Sequence, residues 1–445
     1  MMQGKVWTRR AALLGGAGLL SGCGILDMFG ESKDRLPGER RSILAAQRPL
    51  EADASLAGQP LALPPPTARE AWPQPGGGPA HATGHSALGA QLGQAWRVSV
   101  GTGSSYRRRL TSGPVIAGGT VFAADAYGEV SAFDLASGGR RWRFDTRPEK
   151  DDVGGVGAGC AFADGTLYVT TGLAELIALD PASGQQRWRA RLPAPTRGAP
   201  TVFAGRVYVP TLENQLLALS AEDGRRLWTY RAQAATALPL GLPGPAVDED
   251  FVVAGFPSGE LVAMRPQDGR VQWTESLAGQ GRGGLGDIAG VRGLPVIFEG
   301  RVYAMGMGGT SMAVDLRSGR RLWEHELGGT ESPVVAGDWL FLVGDNGVLT
   351  AVQRESGRLR WVAELNAPPE GTDPKKFEAA SFATPILAGG QLILPSSKGE
   401  ALLINPGSGQ IGGRLRLPGS TTLPGAVAQD TLVLLTDDGT LVAYR

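Results

Sequence analysis

Cysteine is nearly absent from this sequence of 445 residues: Cys23 and Cys160 are the only two. That count excludes a disulfide framework and a Cys-x-x-Cys-His haem attachment. Histidine is almost as scarce, with three. His81 and His85 stand four apart, which suits a metal on a helix, but they lie among Gly, Pro, Ala and Thr with no third ligand in view. His325, between Glu324 and Glu326, reads as a solvated edge group. No charge predominates: Lys plus Arg and Asp plus Glu both total 43, which removes the global basic excess of a nucleic-acid partner. Long apolar runs are missing too. The stretch 11–20 holds ten residues, about half of the ~20 that span a bilayer. The glycine-rich run 278–286 has neither a Walker lysine nor a strand–GxGxxG–helix setting, so it is not a phosphate loop. No Ser-His-Asp order and no paired-carboxylate motif stands out. Asp125, Asp151 and Asp152 could border a channel or a loop, but nothing in the sequence joins them.

Glycine, at 67, and proline, at 31, are abundant, as in a chain that turns every few residues. The turns are periodic. Residues 128–142 read GEVSAFDLASGGRRW, and the pattern returns at 174–188, 214–228, 259–273, 309–323 and 347–361. A further copy at 399–413 ends in Gly413 where the others have tryptophan, and a last one stops halfway at Arg445. Each copy alternates like a strand, turns at Asp-x-x-Ser-Gly or a variant of it, and returns through a tryptophan strand. A repeat of about 40–45 residues with four strands per unit marks a propeller blade. Trp142, Trp188, Trp228, Trp273, Trp323 and Trp361 are expected to pack between neighbouring blades. Trp96 sits on a tryptophan strand with no hairpin before it, and the strand at 441–444 has no tryptophan strand after it. Joined, they complete an eighth blade from both ends of the chain and remove the open edges. The expected fold is therefore all-β, an eight-bladed propeller of four-stranded antiparallel blades over residues 89–445.

Upstream, Lys5, Arg9 and Arg10 precede the apolar run, and Leu20-Ser21-Gly22-Cys23 closes it. This resembles a bacterial lipobox, which implies a signal peptide at 1–22 and acylation of Cys23. Thr8-Arg9-Arg10-Ala11 is similar to a twin-arginine export signal, so the export route stays open. Gly24, where an aspartate would imply retention at the inner membrane, favours the outer one by analogy with enteric lipoproteins. Residues 23–88 are rich in proline, alanine and charge and read as a flexible tether, with a short helix near 41–47. The stretch 72–77 is expected to dock onto the propeller as a prefix. Arg107-Arg108-Arg109 is either a solvated face or a contact for an acidic partner or lipid headgroup. Cys160 reads as a small buried hydrophobe.

The repeat Ala-x-Asp-x-x-Ser-Gly-x-x-x-Trp is similar to that of the pyrroloquinoline-quinone propeller superfamily. With a lipoprotein signal, a tether and one ring, the chain resembles the BamB family of that superfamily. The resemblance implies a non-catalytic, cofactor-free scaffold of the outer-membrane β-barrel assembly machinery, lipid-anchored at the outer membrane and facing the periplasm. Its partners would be a BamA-type subunit and unfolded outer-membrane proteins. The family's partner-binding loop has Leu-x-Leu-Arg-Gly ahead of an Ala-Pro strand. Here Arg197 and Gly198 match it, while Ala194 and Thr196 replace the leucines. A second family loop, Leu-Ser-Asp-Val-Asp, is matched by Leu285 and Asp287 but not by Ala289. Arg197 is then either an anchor that forks onto carboxylates or a solvated loop charge. Two other readings stay open: a quinone- or small-ligand-binding propeller, and a periplasmic interaction scaffold outside that machinery. Quinoprotein dehydrogenases share the repeat but use adjacent cysteines and a calcium ion, and no Cys-Cys pair exists here.

Overall fold

Alternation of apolar residues on every repeat yields short strands whose two faces must both be covered, and stacked blades cover them. The computed structural model describes residues 50–147, 157–235, 237–278, 290–368 and 376–445. It contains eight four-stranded antiparallel sheets. Blade 1 starts with the inner strand Val115–Ala117 and ends with the tryptophan strand Arg140–Asp145. Blades 2 to 7 repeat this order, down to the outer strand Ile411–Arg416 of blade 7. In blade 8 the strands Ala426–Ala428, Thr431–Leu435 and Thr440–Tyr444 are completed by Gln94–Ser99 from the other end of the chain. Trp96 lies opposite Ala443 and Val98 opposite Leu441, as the paired half-repeats require. Among the described residues no helix is long and apolar enough to cross a membrane.

The tryptophans join each blade to the next. A β carbon on the turn glycine of the following blade would lie 2.5–2.8 Å from the tryptophan side chain at each of seven interfaces. The pairs run from Trp96 on Gly138 through Trp142 on Gly184, Trp188 on Gly224 and Trp228 on Gly269 to Trp361 on Gly409. Each of those turn glycines has a φ of 71–74°. Only glycine adopts that backbone freely and also leaves room for the ring. Indole N–H groups donate into the same turns: Trp96 to the Leu135 carbonyl at 2.9 Å, Trp228 to that of Pro266 at 2.9 Å, Trp273 to that of Leu316 at 2.7 Å. The packing is not equally deep everywhere. Trp96, Trp273 and Trp361 are buried, whereas Trp142, Trp188, Trp228 and Trp323 keep part of the ring at the rim. Inside the blade these rings meet an aromatic of the second strand: Trp188 lies 6.0 Å from Tyr168 and Trp228 5.9 Å from Tyr208, both tilted. Aspartates hold the turns in shape. Asp134 accepts from the Ser137 N–H and from Arg141, which also donates to Thr120 Oγ1 at 2.6 Å. The Arg141 guanidinium and the Ser137 donors hold the Asp134 carboxyl down at about 2.

Residues 50–88 lie against the ring, where composition predicts a flexible tether. The expected docking of 72–77 is present, but the contact extends much further. The inward edges of the inner strands have backbone groups that no fifth strand pairs, and at most blades the segment supplies partners. Trp72 and Ile116 exchange N–H···O=C bonds of 2.8 Å in blade 1. Pro73, Pro79 and Ala80 offer carbonyls to the N–H groups of Phe162, Val247 and Ile297 in blades 2, 4 and 5. The buried Gln74 amide bonds both the N–H and the carbonyl of Val202 in blade 3, each at 2.9 Å, as a strand would. Ser86 bridges Leu387 and Gly389 of blade 7, and the Arg69 carbonyl accepts from Gln429 of blade 8. Proline has no N–H to donate, but here only its carbonyl is needed. The result is a plug on the face that carries the Asp-x-x-Ser-Gly turns. Cys23 and the helix expected near 41–47 lie outside the described residues.

Candidate protein-docking face

Antiparallel strand order puts the connections between blades on the face opposite the plug. The loop at 192–200, before blade 3, is firmly held. Leu212 N–H donates to the Pro195 carbonyl at 2.9 Å, and Thr170 Oγ1 donates to that of Gly198 at 2.6 Å. A β carbon at Gly198 would sit 2.0 Å from the Leu242 carbonyl oxygen, so close packing of two loops accounts for that glycine. Ala194 and Thr196 are buried, 2% and 1% exposed, so small residues at these positions face inward. Arg197 is half-buried, and its guanidinium has no partner among the described residues. Its carbonyl accepts from Leu242 at 3.3 Å, which joins this loop to the next.

That next loop carries residues the sequence reading passed over. Leu238 and Leu240 are 48% and 58% exposed, in Leu-Pro-Leu-Gly just ahead of blade 4. The Leu-x-Leu spacing missing at 194–196 therefore occurs one blade later, on a loop bonded to Arg197. The usable signal was two leucines in a loop with no strand to bury them. Arg292 comes from the connection before blade 5. A β carbon on Gly241 would lie 3.5 Å from its Nε, and its guanidinium pairs with Glu331 at 3.3 Å. Burial pushes the Glu331 carboxyl above the ordinary range, against the pull of Arg292 and of Thr384 Oγ1, which donates to it at 2.8 Å. Leu285 and Asp287 lie outside the described residues, as do Asp151 and Asp152.

Other candidates take structural roles. Cys160 is 2% exposed, and burial pushes its thiol up to about 12, which leaves it an inert hydrophobe. Asp125 caps its own turn by accepting from the N–H groups of Tyr127 and Glu129 at 2.9 Å. Arg108 of the basic run stacks on Tyr127 at 4.1 Å and donates to its hydroxyl at 3.0 Å, beside Tyr106, which is 95% exposed. His325 is not the solvated group expected. It is half-buried against Trp323, with Nε2 donating to the Gly357 carbonyl. His81 and His85 are buried in the plug. No cluster of three or more His, Cys, Asp or Glu that could hold a metal occurs among the described residues. The channel mouth is a cavity of about 90 Å³, lined by Gly113, Gly198, Gly244, Leu294 and Thr384 and floored by Pro75. A second cavity of about 310 Å³ shares Arg292, Thr330, Glu331 and Thr422 with it.

Known proteins resemble the chain in both sequence and fold. A family described as outer membrane protein assembly factor BamB matches residues 86–153, 126–363 and 342–445. The protein of that name from Burkholderia pseudomallei is 30% identical over 365 residues, covering 79% of this chain and 87% of the relative. The one from Alkalilimnicola ehrlichii is 36% identical over 354 residues, with the same two coverages. The crystal structure of BamB from Moraxella catarrhalis superposes with a TM-score of 0.67 at 20% identity, over 80% of this chain and all of that one. A quinohemoprotein alcohol dehydrogenase from Comamonas testosteroni shares the fold at a TM-score of 0.63 and 15% identity, over 84% and 80% of the two chains. The adjacent cysteines expected of a quinoprotein dehydrogenase are missing here, and the propeller alone does not carry the chemistry of such an enzyme. On the matched length and the identity of its relatives, the chain belongs to the outer membrane protein assembly factor BamB family.

Proposed function

We propose that this protein is a non-catalytic scaffold of the outer-membrane β-barrel assembly machinery, anchored through an acylated Cys23 and facing the periplasm. Its loop face docks a BamA-type subunit, with Leu238 and Leu240 as apolar anchors and Arg197 as the charged group beside them. One observation carries this reading. Two exposed leucines and an arginine whose guanidinium has no partner among the described residues share two hydrogen-bonded loops on a closed ring of a family named for outer-membrane protein assembly. A rigid support reduces the ordering cost of binding, and arginine with large apolar groups is the usual make-up of an energetic centre. Asp287 and Leu285, from the connection after blade 4, would extend the same face. Unfolded barrel precursors are further proposed clients, met through the free outer edges of the blades.

The test is a pull-down from detergent-solubilised membranes with Leu238→Asp/Leu240→Asp and with Arg197→Glu. The BamA-type subunit is expected to fall at least tenfold in the double variant and several-fold in Arg197→Glu, with melting unchanged. Recovery equal to wild type would remove this face as the docking site. Cys23→Ser is expected to move the protein from the membrane to the soluble fraction.

A further inference from the structure

Two of the three histidines in the chain lie inside the plug, and both are locked into ring backbone. His85 Nδ1 is 2.8 Å from the Pro64 carbonyl oxygen, and its Nε2 is 2.9 Å from the Gly390 nitrogen. A carbonyl only accepts and a backbone N–H only donates, so the two contacts match the tautomer that has its proton on Nδ1. Protonating Nε2 would set two N–H groups against each other. His81 is 3% exposed, and its Nδ1 donates to the Pro295 carbonyl of blade 5 at 2.8 Å.

We propose that residues 64–90 form a plug released by acid, in which protonation of His81 and His85 detaches the segment from the inner strands and opens one mouth of the channel. Charge around the two rings favours this. Arg69 is the cation between them, with Nη1 beside Gly77, Nη2 beside Gly84 and a bond from Nη2 to the Thr83 carbonyl. A second and third positive charge would join it in a poorly hydrated space. The other charged groups on the packed elements are Glu70 of the segment, Asp164, Arg206, Asp248, Glu249, Asp250, Glu299, Arg301, Asp338 and Asp430 at the ring's inner turns, and Glu331 at the head of blade 6. All but the buried Glu331 are partly or fully exposed, and among the described residues none bonds either imidazole.

The sign follows from His81. Burial pulls its imidazole down to about 4 from 6.5, against the Pro295 bond, so the neutral form holds the plug. Its contribution is fully present above pH 6.5 and is lost as pH falls toward 4. From pH 7.5 to 5.0 the opening constant gains a factor on the order of 30 from this one group.

Amide exchange on the full chain, corrected for intrinsic rates, tests the plug without reference to any partner. Protection at Trp72, Ser86 and Ala87 is expected to fall about 30-fold or more between pH 7.5 and 5.0, while strand amides such as Val121 and Ile177 keep theirs. In His81→Gln/His85→Gln, where the amides can make the same bonds but take no proton, the plug is expected to stay protected at both values. Unchanged plug protection in the wild type, ring amides falling in step with it, or an equal fall in the double variant would each overturn the proposal. If the double variant does not fold, His81→Gln alone is expected to shift the release midpoint to lower pH, and an unmoved midpoint overturns it as well.

Discussion

Seven of the eight blade interfaces are built alike, and the one between blades 7 and 8 is not. At the seven, a tryptophan on one blade lies under a turn glycine of the next, and a small residue faces it across the strand pair. Ala132 is opposite Trp142, Ala178 opposite Trp188, Ala218 opposite Trp228 and Ala443 opposite Trp96. At the eighth, Gly413 stands where the tryptophan would be and Leu403 faces it, so large and small have changed places. The reason lies in blade 8. Its last two strands come from opposite ends of the chain, so it has no Asp-x-x-Ser-Gly turn for an indole to dock on. The closure has its own fastening: Arg445 donates to the Leu135 and Ala136 carbonyls of blade 1 at 2.8 and 3.0 Å. Tyr444 Oη donates to the Arg416 carbonyl of blade 7 at 3.0 Å. What every interface keeps is therefore a filled slot, and the tryptophan follows the turn.

This contrast can be broken at graded cost. Trp273→Ala removes a buried indole and its bond to Leu316, and a loss of about 3–5 kcal/mol is expected in urea unfolding. A loss near 1 kcal/mol would mean that the indole is not a keystone. Gly319 and Gly300 sharpen the point, because both are in blade 5 at a φ of 72°. A β carbon on Gly319 would meet Trp273 at 2.6 Å, and one on Gly300 would meet nothing within 4 Å. Alanine at either position costs about 1–2 kcal/mol for the backbone. At Gly319 roughly 1–3 kcal/mol more is expected from overpacking, so equal losses would deny that the ring sets the glycine. Arg445→Ala, on the exposed rim of the seam, is expected to cost only about 1 kcal/mol.

The repeat was legible because its signals are local: strand alternation, an Asp-x-x-Ser-Gly turn, and a tryptophan at fixed spacing. Ring closure was legible for the same reason, since each half-repeat at an end lacks the other half. The depth of each indole was not, because the partial exposure of Trp188 and Trp228 depends on what the neighbouring blade covers. The plug was not legible either. Its prolines and glycines exclude a regular strand, which is also what a tether looks like. The difference lies in inner-strand edges far along the chain, which accept Pro73, Gln74 and Pro79 as partners. The solvent-facing reading of His325 failed similarly, because its cover comes from the Gly357 turn of the next blade. On the proposed docking face, the family motif points to Arg197 but has Ala194 and Thr196 in place of its leucines. Burial of Ala194 and Thr196 rules them out, and exposure of Leu238 and Leu240 supplies the pair from the neighbouring loop.

In the proposed function the loop face is the docking surface and the rest of the ring is architecture. Its most direct test is recovery of the BamA-type subunit with tagged Leu238→Asp/Leu240→Asp from membranes, beside the melting temperature of the same protein. A drop of at least tenfold with unchanged melting is the expected result. Wild-type recovery from a folded double variant would contradict it.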